Sequence, residues 1–387
     1  MISISLCMIL KNEEKVIERC LDSIKNVVDE IILVDTGSTD RTEEICKGYT
    51  NKIYHFSWND DFAAARNYSF SKASKDYILW LDADDVILPE DNEKLIKLKE
   101  IVTEDVDSVQ MNYVLSRDEK GTVTSSLMRN RLVKRSKRYK WIGAVHEYLE
   151  VFGNSIKSDI DITHLSGKEG LSNRNLRIYE NMLEKGIEFT PRDLYYYANE
   201  CYEHGLYDKA YLHYRRFIDT KQGWIEDNIG AFEKGTDSLI RLSYLSEAEK
   251  FAYESFCFDI PRANICCKLG YIFSAKNEID KAIYWYKAAT LSDIERVKKT
   301  GAFVHHAYYT WLPHLQLCVC YYRQGLYHLS NYHNEIARMY QPDDVNILRN
   351  KQYLENLIGQ MNGEEVRTLP EESRNDSEKA TSFRVEE

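Results

Sequence analysis

Four short apolar runs, alternating with amphipathic segments, constrain the first half of this chain more than any other feature. The runs are Ser3–Leu10, Glu30–Asp35, Lys52–Phe56 and Asp76–Asp82. Continuous apolar runs of this length read as strands buried on both faces. Between the first two, Val16, Ile17, Cys20, Leu21 and Ile24 recur with a period of about 3.6 residues, which predicts a helix opened by Asn12 and Glu13. Arg41–Tyr49, with Thr39 or Asp40 as N-cap, and the alanine-rich Asp61–Lys72 give two more helices. Pro89 at the first helical position starts a fourth that runs to Val102. Strand and helix in alternation predict an α/β fold, a mostly parallel sheet with helices on both faces.

After residue 105 the rhythm changes. Val106–Leu115 and Ser126–Val133 read as strands around a turn at Asp118–Gly121. Trp141, Val145 and Tyr148–Phe152 suggest shorter strands, and Ile156–His164 alternates and ends on a histidine. An antiparallel extension thus closes a first domain, residues 1–166, with a linker at 167–173. From Arg174 to residue 362 the pattern is helical and repetitive. Ala198, Gly205, Ala210 and Tyr214 match Gly270, Asn277, Ala282 and Tyr286 in their offsets, and a third unit spans Leu315–Pro342. A further unit around Thr236–Phe256 is barely visible, and Leu291–Phe303 reads as an insertion. This half resembles tetratricopeptide repeats, in which small residues of one helix pack against aromatics of its partner. Of 28 tyrosines, 21 follow residue 171, as such packing requires. Residues 363–387, acidic and poor in apolar side chains, read as a disordered tail.

Composition narrows the function. With 43% apolar and 29% charged residues and a net charge of −11, the chain suits a globular protein rather than a nucleic-acid binder. No apolar stretch approaches the roughly 18 residues of a membrane span, and Ile2–Leu10 makes a poor signal peptide. Nine cysteines without a C-x-x-C pair read as reduced thiols of a cytoplasmic protein.

The chemistry concentrates at Asp82-Ala83-Asp84-Asp85, which follows the fourth apolar run. Ligands of open α/β sheets bind outside the carboxyl ends of the strands. Asp35 ends the second strand, so both carboxylate groups should face one crevice, where they can hold a hard divalent cation and sugar hydroxyls. The plainer alternative is that Asp84 and Asp85 cap the turn before Pro89. Arg129, Arg131, Lys134, Arg135, Lys137, Arg138 and Lys140 form a basic strip, either a solvated face or a wall for phosphates or an acidic acceptor. Trp141 is either core or a platform for a sugar ring.

SLCMILKNEEKVIERCLDSI, EIILVDTGSTDRTEEIC and FAAARNYSFSKASKDYILWLDADD resemble, in order and spacing, family 2 glycosyltransferases of the GT-A fold, a Rossmann-like mixed sheet. The resemblance covers residues 1–165. Its joining to tetratricopeptide-like repeats resembles a bacterial subgroup that includes enzymes glycosylating cysteine or serine side chains of bacteriocin peptides. It implies a nucleotide-diphosphate sugar, a UDP-sugar foremost, a Mg²⁺ or Mn²⁺ ion, and inversion at the anomeric carbon. Carried over by residue, Leu10 and Asn12 meet the nucleotide and Asp35 the base or ribose. Asp82 lies near ribose and sugar, and Asp84 reaches the metal. Arg66 and Asn67 match an Ala-Arg-Asn element facing the donor, with an ion pair from Arg66 to Asp82 or Asp35 as the structural alternative. Glu147 matches the glutamate of a Val-His-Glu motif and is the candidate base. His146 is a second base or a substrate ligand. His164 completes the metal or phosphate site, or is a hydrogen-bonded structural group.

The expected activity is transfer of a sugar to a peptide or protein side chain held by the repeats. Synthesis of cell-surface polysaccharide or lipopolysaccharide and a non-catalytic repeat scaffold are the alternatives. A nucleotidyltransferase would carry a glycine-rich loop where Lys11-Asn12-Glu13-Glu14 stands. The repeat groove is expected to bind either the acceptor or a second subunit in a homodimer.

Overall fold

A computed structural model of the chain describes residues 1–117, 123–165, 172–300 and 304–368. It divides into two compact units, Met1–Glu188 and Phe189–Glu387.

In the first unit β1 (Ile4–Leu10), α1 (Ile17–Ile24), β2 (Glu30–Asp35), α2 (Thr42–Cys46), β3 (Ile53–His55), α3 (Phe62–Ser71) and β4 (Tyr77–Trp80) follow the expected alternation. Then come β5 (Asp85–Val86), α4 (Pro89–Ile101), β6 (Ser108–Arg117), β7 (Val123–Lys134), β8 (Lys140–Ile142), β9 (Tyr148–Glu150), β10 (Ser155–His164) and α5 (Arg174–Glu184). The main sheet has the order β3-β2-β1-β4-β7-β6-β10-β5, and β8 pairs with β9 apart from it. The β3-β2-β1-β4 half is parallel, and Leu10 stands beside Asp35 and Asp35 beside His55. Their carboxyl ends therefore share one edge. β7 runs antiparallel to β4, which makes the sheet mixed. A fully buried layer of Ile4, Leu6, Ile17, Leu21, Leu33, Leu79 and Leu95 forms the main core.

Two boundaries differ from the sequence expectation. The repeat half was expected to begin at Arg174, but α5 belongs to the first unit. Its Ile178 and Tyr179 are fully buried, Tyr179 Oη donates to Val145 O at 3.5 Å, and Asn181 Nδ2 donates to Asp60 Oδ2 at 3.0 Å. An amphipathic helix carries no sign of which core it covers. Of the expected linker, 167–171 lies outside the described residues, as does the turn at Asp118–Gly121. The tail was expected from residue 363, yet the last helix runs to Thr368; the rest of that segment lies outside the described residues.

In the second unit helices pair in sequence: α6 (Pro191–Glu203) with α7 (Tyr207–Asp219), and α8 (Ile225–Arg241) with α9 (Leu245–Glu254). α10 (Ala263–Ala275) pairs with α11 (Ile279–Thr290). After α12 (Ile294–Lys299) and α13 (His306–Tyr309) in the inserted stretch, α14 (Trp311–Arg323) pairs with α15 (Tyr327–Tyr340), and α16 (Val345–Thr368) follows. Each pair turns on one left-handed residue, Gly205, Ser243, Asn277 or Gly325. The next amide closes each first helix the same way: Leu206 N to Cys201 O, Tyr244 N to Leu239 O, Glu278 N to Phe273 O and Leu326 N to Tyr321 O. Gly270 is required by packing, since a Cβ there would stand 2.6 Å from the Tyr286 ring. The tetratricopeptide-like reading of this half stands.

Candidate active site

A cavity of about 460 Å³ opens at the carboxyl edge of β1 and β4. Leu10, Arg66, Asp82, Asp84, His146, Glu147 and His164 of the expected residues line it, and so do Trp80 and Trp141.

Arg66 is its hub. Asp61 caps α3 by accepting from Ala64 N at 2.8 Å, and the small, buried Ala63 and Ala65 let the helix approach the sheet. Arg66, nine-tenths buried, then points to the strand ends. Its Nη2 donates to Asp82 Oδ1 at 2.8 Å and its Nε to Glu147 Oε1 at 2.6 Å. The guanidinium carbon lies 5.1 Å from the Trp80 ring centroid and 4.8 Å from that of Trp141. Burial alone would disfavour this charge, but Asp82 and Glu147 outweigh it and hold the guanidinium protonated. Burial likewise pushes the Asp82 carboxyl up, and the charges of Arg66 and Arg131 hold it below the usual carboxylate range. The ion pair expected as the structural alternative for Arg66 is thus present, together with its place in the cavity. Trp141 offers no free platform for a sugar, because Arg66 covers it on one side and Trp80 meets it edge-on at 4.7 Å.

Asp84 and His164 also come together. β5 pairs antiparallel with β10, setting Asp85 opposite His164, and His164 Nδ1 lies 3.5 Å from Asp84 Oδ1. Tyr113 Oη is 3.0 Å from the same nitrogen. The carboxylates of Asp84 and then Asp85 push the imidazole from 6.5 up to about 10. A carboxylate beside an imidazole suits a divalent cation of the Mg²⁺ or Mn²⁺ type. In metal-free protein the contact has a pH signature. A folded-state value raised from 6.5 to about 10 gives stabilisation that is complete below pH 6.5 and lost as pH rises through about 10. In a chelator, wild type should therefore resist urea better than His164→Gln below pH 6.5, and the gap should close towards pH 10; a pH-independent gap would refute the pairing.

Asp35 and Asn12 sit beside the cavity rather than in it. Asp35 is buried, its Oδ1 accepting from Gly37 N and Ser38 N at 2.8 Å. Asn12, at φ 56°, accepts from Thr39 N through its Oδ1 at 2.8 Å. Both shape the loop whose Thr36 reaches the cavity. Asn67, expected at the donor, does not line it. Its Nδ2 donates to Trp141 O and its Oδ1 accepts Trp141 N, both at 2.9 Å, which makes it a clamp on β8.

The basic strip splits. Arg129 and Arg131, two apart on β7, line the cavity, whereas Lys134, Arg135, Arg138 and Lys140 line a separate one. Sequence reasoning missed Tyr113, Trp58, Phe62 and the start of α5. Arg174 stacks over Phe62 at 4.7 Å and lines the cavity with Asn175. No spacing marks these residues, because the fold alone gathers them.

An open, mixed sheet with helices on both faces and carboxylates at its carboxyl edge defines an α/β domain of the GT-A type. The family-wide sequence model Glycosyl transferase family 2 matches residues 5–156. The first unit therefore contains a region that matches family 2 glycosyl transferases, and tetratricopeptide-like helices follow it. A TPR repeat-containing protein of Synechococcus elongatus is 48% identical over 90 residues, 23% of this chain and 22% of that protein. The SPbeta prophage-derived glycosyltransferase SunS of Bacillus subtilis is 27% identical over 213 residues, 52% of this chain and 49% of that protein. The chain thus spans half or less of these curated relatives. Among solved structures, glucosyl-3-phosphoglycerate synthase from Mycobacterium tuberculosis, in complex with Mn²⁺ and UDP-glucose, is 16% identical. That match covers 49% of this chain and 81% of that one, with a TM-score of 0.34.

Proposed function

We propose that the first unit transfers a sugar, with inversion, from a nucleoside-diphosphate donor, a UDP-sugar foremost, to a cysteine or serine side chain of a peptide or protein presented by the helical repeats. One observation carries this reading: Arg66, Asp82, Asp84, Glu147 and His164 line a single cavity of a family 2 domain. The repeats support a peptide acceptor, since stacked helix pairs offer extended binding surfaces. A cytoplasmic location fits nine unpaired cysteines, eight of them buried. No helix among the described residues is long and apolar enough to cross a membrane. A homodimer through the repeats belongs to the same proposal.

Asp35 and the Asn12 loop hold the nucleoside, and Asp82 holds ribose and sugar hydroxyls. Asp84 and His164 would hold a Mg²⁺ or Mn²⁺ ion, which when bound would supply Lewis-acid charge at the leaving diphosphate. Arg174 and Lys11, whose side chains reach the cavity, add positive charge for the same phosphates. The acceptor oxygen or sulfur bonds to the anomeric carbon as the carbon–oxygen bond to the diphosphate breaks. The electron pair leaves with the nucleoside diphosphate, and the acceptor proton passes to Glu147. Arg66 takes Glu147 Oε1; Oε2 is the oxygen left for that proton. Glu147→Gln should lower kcat by about 10²–10⁴-fold while donor KM changes little. An unchanged kcat would remove Glu147 as base, and His146→Gln would then be the variant to assay.

Full-length protein with Mn²⁺ and a panel of nucleotide sugars should release nucleoside diphosphate, faster with a cysteine-containing peptide than without. No release and no thermal shift with any nucleotide would leave only a non-catalytic scaffold. Stimulation by a glycan but by no peptide would move the acceptor to cell-surface polysaccharide or lipopolysaccharide.

A further inference from the structure

The buried pair of Asp85 and Arg131 has no part in the transfer proposed above. Their side chains are 0% and 1% exposed, and Arg131 Nη1 lies 3.0 Å from Asp85 Oδ2. Taking two charges out of water is costly, and well-packed apolar side chains of the same volume often stabilise a fold as well or better. Asp85 Oδ2 is fully used, since it also accepts Asp82 N–H at 2.9 Å. Oδ1 is shut off from solvent and accepts no hydrogen bond. Interiors rarely leave a polar atom in that state.

What Oδ1 faces decides its use. Asp85 and His164 are register partners of an antiparallel pair, so the main chain itself sets them on one face. Oδ1 lies 3.7 Å from His164 Nδ1, too far for a hydrogen bond. Asp84 Oδ1 is 3.5 Å from the same nitrogen. One donor atom from each of the three residues lies within 4.8 Å of the others. Ligands at about 2.1–2.6 Å from a hard cation stand about 3–4 Å apart when at right angles. Small side-chain rotations therefore bring all three atoms onto one ion.

Resting on the reading that Asp84 and His164 hold a cation, we propose that Asp85 Oδ1 is a third protein ligand of that ion, with Arg131 as the counter-charge that keeps Asp85 in place. Arg131 is suited to that task. Its Nη1 also donates to Trp80 O at 3.2 Å. Its guanidinium carbon lies 3.8 Å from the Trp80 ring centroid and 4.4 Å from that of Tyr113. A guanidinium does not deprotonate in proteins, so the compensation does not depend on pH. The pair fixes the end of β4, the Asp82–Asp85 turn and β7 to one another.

The test is calorimetric titration of Mn²⁺ alone into the full-length chain. Asp85→Asn, alone and with Arg131→Gln, should weaken Mn²⁺ binding at least about ten-fold. The double variant leaves no uncompensated buried charge and should keep the wild-type circular dichroism. Wild-type affinity in a folded double variant would make the pair structural and overturn the proposal. Loss of binding in Asp84→Asn with none in the Asp85 variants would overturn it while sparing the cation site. No Mn²⁺ binding by wild type would overturn both. Wild-type crystals soaked in Mn²⁺ give a readout free of folding defects. An anomalous peak within about 2.6 Å of Asp85 Oδ1 is expected, and a peak at Asp84 and His164 with Asp85 out of reach would overturn the proposal.

Discussion

Asp84→Ala should lower transfer by about 10³-fold and leave the fold intact. The size follows from the role. A cation on the leaving diphosphate contributes several kcal/mol to the barrier, and each 1.36 kcal/mol is about a factor of ten. The intact fold follows from the surroundings. Asp84 is half-buried, and its side chain meets His164 at 3.5 Å without anchoring a strand or capping a helix. Removing it opens no core cavity, and in the metal-free protein it costs only the contact with His164 described above, which is partly offset by less crowding of negative charge near Asp82 and Asp85. The measurement pairs nucleoside diphosphate release with thermal melting in a chelator. Full activity would remove Asp84 from the site, and a large drop in melting temperature would give it a structural task.

This prediction rests on the part of the molecule that was most legible. Buried strands announce themselves as apolar runs, and Asp82 follows its run at the carboxyl edge, so that edge was legible, although Asp35 turned out to sit beside the cavity rather than in it. What surrounds Asp84 was not legible. β5 is two residues long and runs against β10, and no pattern in two residues predicts a partner 79 positions away, as Asp85 is from His164. Arg131 lay inside a basic strip, where its neighbours hid the one arginine of that strip that is fully buried. The repeat half shows the same limit. The pair of α8 and α9 uses Ser243 where other pairs use Gly205, Asn277 and Gly325. Serine does not advertise a left-handed turn as glycine and asparagine do, so the pair was barely visible although its hydrogen bonds match those of its neighbours. Helix α5 was legible as a helix but not as part of the first unit. Amphipathic periodicity reports that one face is covered and is silent about what covers it.

Arg66→Met should be the most destabilising single change near the cavity. Methionine keeps much of the stem between Trp80 and Trp141 but removes the charge that joins Asp82 to Glu147. Breaking a buried ion pair from one side costs about 3–5 kcal/mol, because the partner carboxylates are left uncompensated. At about 2–4 °C per kcal/mol for a domain of this size, the first unit should melt roughly 6–20 °C lower. Donor turnover should fall as well, since Asp82 loses the group that orients it. The cause can be separated from simple loss of packing. If uncompensated charge is responsible, adding Glu147→Gln to Arg66→Met should recover part of the stability. Lowering the pH should recover more, because protonating Asp82 removes the remaining charge. Recovery by neither change would mean that the arginine acts through its contacts with the two tryptophans, and that Asp82 and Glu147 do not depend on it for their charge.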